Sequence, residues 1–359
     1  MKTVKKPGLT IIVIVCVIQL VCTAPEERTP EKYIPTSSSQ SILFIGDMMF
    51  EWAVKDTMQR YGAGYPLKKI QSFLKSFDFV MANLESPLTN NDQSLVNQKY
   101  IFKATPDIAF ILADAGITAV TLANNHMLDY DVTGLLDTLT SLSNAKVLYA
   151  GAGRNETTAS LPIMYQLGES HIAVLCYTQI SSKEMIAKNN PGVNFFELEK
   201  AKNDIQKYRF CNTVIIILHW GNEYFYYPSS KQIDIAHALI DAGADAIVGH
   251  HPHVYQGIEI YKNRPIVYSL GNFLFGSIHE GINDNIACAL YLSEKGKILK
   301  IHIYAIKGKF TDANIQPNVL EYEDAVKIFQ HIYEISMPLG TFFKHRSQIK
   351  NNYIEYIFR

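Results

Sequence analysis

Short apolar runs alternate with amphipathic segments over most of the chain. The runs begin at residue 41, and the most apolar of them, residues 214–218, has the continuous hydrophobic character of a central strand that is buried on both faces. Between the runs, apolar residues at helical spacing predict helices, at residues 67–75, 106–115, 132–142, 198–208 and 233–241. This alternation is typical of an α/β domain with a parallel sheet.

The second half of the chain adds strands that are joined by short turns. Paired apolar runs predict a hairpin at residues 163–177 and two further strand pairs at residues 258–270 and 286–306. Residues 322–335 predict one long helix. We therefore assign one domain to residues 41–310 and a C-terminal helical extension to residues 311–359.

Polar side chains that can bind a metal stand where three of the predicted strands end. Asp47 follows the first strand and Glu85 the second, and the third runs into Asn124-Asn125-His126. These positions are about 40 residues apart, a separation that leaves room for a crossover helix between parallel strands. Because the carboxyl ends of parallel strands meet at one edge of a sheet, we expect these side chains to lie close together.

Histidines follow two further apolar runs. His219 comes directly after residues 214–218, and Gly249-His250-His251-Pro252-His253 comes after a second buried run. Three of the eleven histidines thus lie within four positions, on a loop that contains a Gly and a Pro. Such a cluster favours metal ligation over a solvated surface loop. Glu223, four residues after His219, is undecided between orienting a histidine and acting as a general base.

Carboxylates, carboxamides and imidazoles together form a mixed hard and borderline donor set. Mn, Fe or Zn suits such a set better than Ca or Mg, which prefer oxygen ligands. Six or more donors exceed one tetrahedral shell, so we expect one or two divalent transition metal ions, and a bridged pair is an arrangement used for hydrolysis. The Gly-rich turn at residues 151–153 could bind an anion through Arg154, although a plain turn is favoured there.

Charge and the N-terminus narrow the choice of environment and partner. Lys plus Arg total 33 against 34 Asp plus Glu, so the chain has no basic field to hold nucleic acid. Lysines precede an apolar run at residues 9–21 that is shorter than a membrane span. Residues 1–24 therefore predict a signal peptide or signal anchor, and residues 25–40 predict a flexible linker. We expect an exported domain at the cell surface, membrane-anchored or secreted.

The motifs at the strand ends, taken in order, resemble those of a known family. They are Gly46-Asp47, Asn83-Leu84-Glu85-Ser86-Pro87-Leu88, Ala123-Asn124-Asn125-His126-Met127-Leu128-Asp129-Tyr130, His219-Trp220-Gly221-Asn222-Glu223-Tyr224, Gly249-His250-His251-Pro252-His253-Val254 and Tyr268-Ser269-Leu270-Gly271-Asn272-Phe273. They look like the serial motifs of the CapA- or PgsA-type capsule synthesis proteins of poly-gamma-glutamate, a family related to the calcineurin-like metallophosphoesterases. The resemblance covers residues 41–276 and implies a four-layer α/β/β/α sandwich.

The resemblance also implies roles for individual residues. The metal ligands would be Asp47, Glu85, Asn125, His219, His251 and His253, with His250 as an alternative to His251 and with Asn124 and Glu223 as further ligands or supports. His126 would be the acid that protonates the leaving oxygen. Two positions depart from the phosphoesterase pattern, because Met49 stands where a histidine ligand is expected and Glu85 where an aspartate is expected.

Three functions are consistent with these features. The leading one is an exported metal-dependent hydrolase that acts in the synthesis, attachment or export of a surface polymer, by resemblance a poly-gamma-glutamate capsule. The second, which Met49 favours, is a non-catalytic metal-binding accessory subunit of a membrane polymer synthase. The third is a secreted phosphodiesterase unrelated to capsule. The implied partners are membrane-associated polymer synthase subunits and an anionic polymer or phosphoester substrate.

Overall fold

The computed structural model describes residues 40–94, 100–276, 284–308, 310, 314–340 and 342–358. The predicted leader, and the predicted linker up to residue 39, lie outside these residues. Within the described ranges, no helix combines the length and the apolar character that a membrane crossing requires.

The strands of the described residues are numbered in chain order. They are β1 Ser41–Met48, β2 Phe79–Leu84, β3 Ala119–Thr121, β4 Leu148–Ala150, β5 Ala152–Gly153, β6 Ile163–Leu167, β7 Ser170–Thr178, β8 Gly192–Val193, β9 Thr213–His219, β10 Ala246–His250, β11 Ile258–Tyr261, β12 Arg264–Val267, β13 Asn272–Leu274, β14 Asn285–Leu292, β15 Ile298–Ile306, β16 Ser347–Lys350 and β17 Tyr353–Ile357.

Most of the helices connect parallel strands along the chain. They are α1 Trp52–Tyr61, α2 Tyr65–Lys68, α3 Gln71–Leu74, α4 Ile108–Ala115, α5 Asp131–Asn144, α6 Glu156–Ala159, α7 Leu198–Lys207, α8 Ser230–Asp241, α9 Tyr322–Ser336 and α10 Phe342–Arg346, with a 3-10 turn at Met337–Leu339.

The strands form two large sheets. Sheet I has the order β16-β17-β15-β14-β1-β2-β3-β4, with β13 beside the end of β1, and its strands β1 to β4 are parallel. Sheet II has the order β11-β12-β10-β9-β7-β6, and its four inner strands are parallel. The apolar run predicted to be a central strand is β9, which lies between β10 and β7 as expected.

Side-chain alternation along the strands divides the core into layers. In β1, Ile42 and Phe44 face the space between the sheets, where Ile215 and Ile217 of β9 meet them. The alternate residues of β1 pack outward with helices α4 and α5, and those of β9 pack outward with α7 and α8. Both faces of each sheet are therefore buried, and the predicted four-layer α/β/β/α sandwich is confirmed.

Two predicted elements differ from the structure. The helix predicted at residues 67–75 is two one-turn helices separated by a turn at Lys69 and Ile70, while Leu67, Ile70 and Leu74 all remain buried. The extension at residues 311–359 is helical only in part, since β16 and β17 form a hairpin that joins the edge of sheet I. In β17, Ile354 and Tyr356 are buried at the two-residue period of a strand.

Gly249 allows β10 to approach the backbone of Tyr268 closely. A Cβ on Gly249 would lie 1.9 Å from the carbonyl oxygen of Tyr268 and 2.6 Å from Nε1 of Trp220. Trp220 Nε1 donates to that same carbonyl at 2.9 Å. A side chain at residue 249 would therefore disrupt a buried contact directly behind the histidine loop, residues 251–253.

We expect Gly249→Ala to lower the free energy of unfolding by about 3 kcal/mol, at the upper end of overpacking costs, because the clash is with backbone. Gly64→Ala is the matched control, since a Cβ at Gly64 would have no heavy atom within 4 Å and the backbone there is in the αR region. We expect a change within about 0.5 kcal/mol for the control. Urea denaturation of both variants measures the difference. Equal stabilities would contradict the close approach at residue 249.

Candidate metal centre

The carboxyl ends of the parallel strands of both sheets meet at one end of the sandwich. Asp47 lies near the end of β1, Glu85 follows β2, and the loop after β3 carries Asn124, Asn125 and His126. From sheet II, β9 ends at His219 and β10 ends at His250, and these two residues are paired in register. The sequence predicted that all five segments contribute to one site, and in the structure the two histidine segments come from the facing sheet.

Asp47 joins the two sheets at this end. Its Oδ1 accepts hydrogen bonds from Asn83 Nδ2 at 2.8 Å and from His250 Nδ1 at 2.9 Å, and its Oδ2 accepts from the His251 amide at 3.3 Å. Burial raises the pKa of this carboxyl, but the hydrogen bond and charge of His250 and the charge of His253 bring it below its ordinary value of 3.8. Asp47 is therefore held as a carboxylate.

The carboxyl group of Glu85 is buried and makes few hydrogen bonds. Its Oε1 has no hydrogen-bond partner and lies 3.7 Å from His219 Nε2, while Oε2 accepts a long bond of 3.4 Å from Asn83 Nδ2. Complete burial, followed by the negative charge of Asp47, raises the pKa of Glu85 well above its ordinary value of 4.5. A cation beside Oε1 would stabilise the carboxylate form.

The imidazoles of His219 and His251 lie side by side, with ring centroids 4.8 Å apart. Burial and the neighbouring histidines lower the pKa of His219 well below 6.5 and that of His251 to about 3. Both rings are therefore neutral near pH 7, the form in which histidine ligates a metal. His219 Nε2 contacts Asn125 Oδ1 at 2.8 Å, whereas the buried Nδ1 of His251 has no hydrogen-bond partner.

The histidine loop has an unusual backbone. His251 has a φ of 96° and His253 a φ of 58°, values that side-chain-bearing residues adopt rarely. His253 is fixed further by a contact of 2.9 Å between its Nδ1 and Asn272 Oδ1. Backbone strain of this kind persists only where the surroundings hold it, and it concentrates at functional sites.

His126 lies beside the cluster and is oriented by a carboxyl group. Its Nδ1 contacts Asp129 Oδ2 at 2.8 Å, and the same oxygen accepts the Phe102 amide at 2.8 Å. The ring of Phe102 packs on His126 with centroids 4.2 Å apart. Burial raises the pKa of Asp129, although its hydrogen bond with His126 offsets part of that effect. The bond at Nδ1 leaves Nε2 as the nitrogen of His126 that can exchange a proton with a ligand.

Donor geometry divides the cluster into three overlapping sets, each with ligand atoms within 4.8 Å of one another. Among the described residues these sets are Asp47 with Glu85 and His253, Glu85 with His219 and His251, and Glu223 with His251 and His253. The first two sets share Glu85, and the third shares one histidine with each of them. Of the doubled histidine, His251 belongs to two sets, while His250 Nδ1 is engaged with Asp47.

Several predicted residues occupy supporting or separate positions. The amide of Asn124 is used within the loops, because Nδ2 donates to Asn83 Oδ1 and to the Leu84 carbonyl, and Oδ1 accepts the His126 amide. Met49 is buried against Phe102 and Phe275 and offers no nitrogen or oxygen to the cluster. Arg154 is exposed and follows β5, a strand that pairs with β8 outside the two large sheets, so anion binding by Arg154 stays a prediction.

Two residues that organise the site carry no role in the prediction from sequence. Asn83 places its amide among Asp47, Glu85 and His219, and Asp129 orients His126. Both stand inside the strand-end motifs. Their spacings give the only sequence signal, since Asn83 is two residues before Glu85 and Asp129 is three residues after His126, but neither spacing shows which side chain it faces.

Two solved structures match this chain distantly. Sulfate thiohydrolase SoxB of Thermus thermophilus, in complex with glycerol, is 12% identical with a TM-score of 0.45, and the match covers 84% of this chain and 61% of that one. The protein TT1561 of Thermus thermophilus is 9% identical with a TM-score of 0.39, and the match covers 70% of this chain and 94% of that one. The assignment of the fold rests instead on the two sheets and their flanking helices.

Sequence relatives are much more similar. Residues 41–277, more than half of the 359-residue chain, match the family described as bacterial capsule synthesis protein PGA_cap. Capsule biosynthesis protein CapA of Bacillus anthracis is 32% identical over 311 residues, which cover 82% of this chain and 75% of that protein. PGA biosynthesis protein CapA of Bacillus subtilis is 32% identical over 277 residues, which cover 76% of this chain and 73% of that protein.

A third relative is more distant. The probable polyglutamine synthesis accessory protein MT0602 of Mycobacterium tuberculosis is 27% identical over 219 residues, which cover 57% of each chain. Together with the two Bacillus proteins and the match over residues 41–277, it confirms the resemblance seen in the strand-end motifs. The chain belongs to the bacterial capsule synthesis protein family PGA_cap.

Proposed function

We propose that this protein is an exported, metal-dependent hydrolase that acts on an amide-linked surface polymer during its synthesis, attachment or export. The observation that carries the proposal is the buried donor cluster around Glu85 with His126 beside it. Family membership supports the polymer, since two relatives are named for capsule or PGA biosynthesis. The apolar run at residues 9–21, preceded by lysines, supports export.

The residues of the cluster fit a divalent transition metal. Glu85 Oε1 and His251 Nδ1 are buried without hydrogen-bond partners, although buried polar atoms are normally paired. The carboxylates and neutral imidazoles around them suit Mn, Fe or Zn. Asp47, Glu85 and His253 would hold one ion, and Glu85, His219 and His251 would hold a second. A bound ion would supply Lewis acidity and positive charge at the reacting group.

The chain's own residues provide the proton transfer. Asp129 accepts a hydrogen bond from Nδ1 of His126 and orients the ring, so the imidazolium form of His126 can pass its Nε2 proton to the leaving group of the substrate. Phe102 packs on the ring and limits its movement. A site that only holds a metal for structural reasons would need no oriented imidazole beside the donors, so this pair favours catalysis.

Met49 favours a second function, a non-catalytic accessory subunit of a membrane polymer synthase. Its side chain lies in an apolar cluster, so one set of donors lacks the ligand that the related phosphoesterases place there. Turnover assays separate the two functions. We expect the metal-loaded chain to hydrolyse oligomers of gamma-linked glutamate and to hydrolyse phosphodiesters more slowly. Faster cleavage of phosphodiesters would indicate a secreted phosphodiesterase, and metal binding without any turnover would indicate the accessory subunit.

We predict that metal binding stabilises the protein strongly near pH 7.5 and weakly near pH 5. His219 and His251 have lowered pKa values, so their contribution to stability is present above 6.5 and is lost as pH falls toward about 3. Glu85 has a raised pKa, so its contribution is present below 4.5 and is lost as pH rises through the raised value. A metal ion relieves the cost of ionising Glu85. His251 stays neutral at pH 5, so the metal competes with protons mainly at Glu85, whose raised pKa favours the protonated form more at pH 5 than at pH 7.5.

Calorimetric unfolding with and without Mn²⁺ or Zn²⁺ measures this effect. At a free metal concentration of about 100 times Kd, we expect about 2.7 kcal/mol of stabilisation near pH 7.5. Ca²⁺ serves as a control for nonspecific binding, because it prefers oxygen ligands. A Tm that no transition metal raises at either pH would contradict the proposed metal dependence.

A further inference from the structure

One set of metal donors is incomplete near Asp47. Asp47, Glu85 and His253 form that set, and Met49 follows Asp47 by two residues without contributing to it. Met49 is fully buried with Phe102 and Phe275, and its sulfur accepts the backbone amide of Glu51 at 2.9 Å. The side chain at residue 49 is therefore committed to an apolar cluster, and three protein donors leave room for a further ligand.

A carboxylate from the facing sheet lies near two histidines, one of which, His253, belongs to this incomplete set. Glu223 is in the loop between β9 and α8, and one of its oxygens lies within 4.8 Å of nitrogens of both His251 and His253. Glu223 is exposed, whereas the two histidines are buried. The open side of the cluster is thus the side on which Glu223 stands.

The loop that carries Glu223 is fastened to the histidine loop. The amide of Tyr224 donates to the carbonyl of Pro252, between the two histidines, at 2.7 Å. Tyr224 has a φ of 64°, a strained value for an aromatic residue, which the surrounding contacts must hold in place. The residue directly after Glu223 is therefore bonded to the loop whose histidines form the donor set.

A buried pair of glutamines fixes the other side of the same loop. Gln256 Nε2 donates to the Phe225 carbonyl at 2.8 Å, and Gln232 Nε2 donates to Gln256 Oε1 at 3.1 Å. Both glutamine side chains are buried, so these bonds are protected from water. An exposed carboxylate on a loop with this much support at its base resembles a positioned ligand more than a solvated surface charge.

We propose that Glu223 is a metal ligand that acts with His251 and His253 on the open side of the cluster, where residue 49 supplies no donor. The ligand class is a divalent transition ion that accepts mixed oxygen and nitrogen donors. The inference rests on the proposed metal dependence of the site, and it assigns to Glu223 one role among those that the sequence left open. Because Glu223 is reached from solvent, the ion it holds is the more exchangeable of the two.

The test is metal binding rather than activity. The full-length chain is stripped with a chelator and titrated with Mn²⁺ in equilibrium dialysis, with bound metal counted by elemental analysis. We expect two ions in the wild type. Glu223→Gln should weaken one of them by more than about 10-fold, as for removal of a group that supports a metal site. Glu223→His should restore the affinity, because imidazole is also a ligand for this class of metal.

The matched control removes an exposed glutamate at the other end of the molecule. Glu169 precedes β7, whose opposite end pairs with His219, so Glu169→Gln should leave both ions unchanged. Two ions of unchanged affinity in Glu223→Gln would overturn the role of Glu223 and leave the proposed hydrolase intact. A wild type that binds no ion would overturn both proposals. Loss of one ion that Glu223→His does not restore would also count against ligation by residue 223.

Discussion

Replacing Asp47 by asparagine will deprive the protein of metal and of hydrolytic turnover. The carboxylate is held ionised at the point where the two sheets meet, and it is the charged member of the set with Glu85 and His253. An amide cannot supply that charge, and it presents N–H groups toward His250. Partners that only orient a ligand already cost roughly 10–100-fold in metal affinity when removed. We therefore expect the affinity to fall more than about 100-fold for Asp47→Asn.

Elemental analysis and Mn²⁺ titration of the purified variant measure this loss. Asp78→Asn is the matched control, because the carboxylate of Asp78 also accepts hydrogen bonds, from the backbone amide and hydroxyl of Ser41, but at the other end of β1. It should reduce stability and leave metal content unchanged. A metal content in Asp47→Asn equal to that of the wild type would show that the ion binds elsewhere.

The layered fold was predictable because its strands are buried on both faces. Runs such as residues 214–218 need no partner information to be recognised, since nearly every residue is apolar. The β16 and β17 hairpin was missed because both strands are short and half-exposed, so their pattern is weak. The Asn351-Asn352 turn and the alternation in β17 were present as signals, yet only pairing with β15 gives those strands a buried face.

The donor residues were partly predictable, because they stand at the ends of predicted strands. Asp47, Glu85 and His219 each stand where a strand stops, and parallel strands place such residues together. Hydrogen-bond partners were not predictable in this way, because they depend on register between strands that are distant in sequence. The contact of Asn83 with His219 spans 136 residues and two sheets, and no local pattern encodes it.

The ambiguity of the doubled histidine shows the same limit. In the sequence, His250 and His251 are equivalent neighbours of the strand end. In the structure, His250 still belongs to β10 and its ring is held by Asp47, while His251 has left the strand with a φ of 96° and an unpartnered Nδ1. Although they are adjacent in the chain, His250 links the two sheets through Asp47, whereas His251 is free to bind a metal.

Replacing His126 by asparagine will reduce turnover by roughly 10²–10⁴-fold, the usual contribution of a positioned proton donor, while leaving metal content unchanged. Asparagine keeps polarity at this position but cannot deliver a proton to a leaving group. Asp129→Asn should give a smaller loss, because Asp129 acts only by holding Nδ1 of His126. Steady-state kinetics with metal counted on the same samples measures both effects.

The choice of leaving group makes this prediction specific. A p-nitrophenolate group departs with little help from a proton, so His126→Asn should slow a p-nitrophenyl ester far less than it slows an oligomer of gamma-linked glutamate. Equal losses on both substrates would mean that His126 binds the substrate and donates no proton. A loss of metal in His126→Asn would make it part of the donor set, in conflict with its bond to Asp129 and its place outside the three sets of ligand atoms.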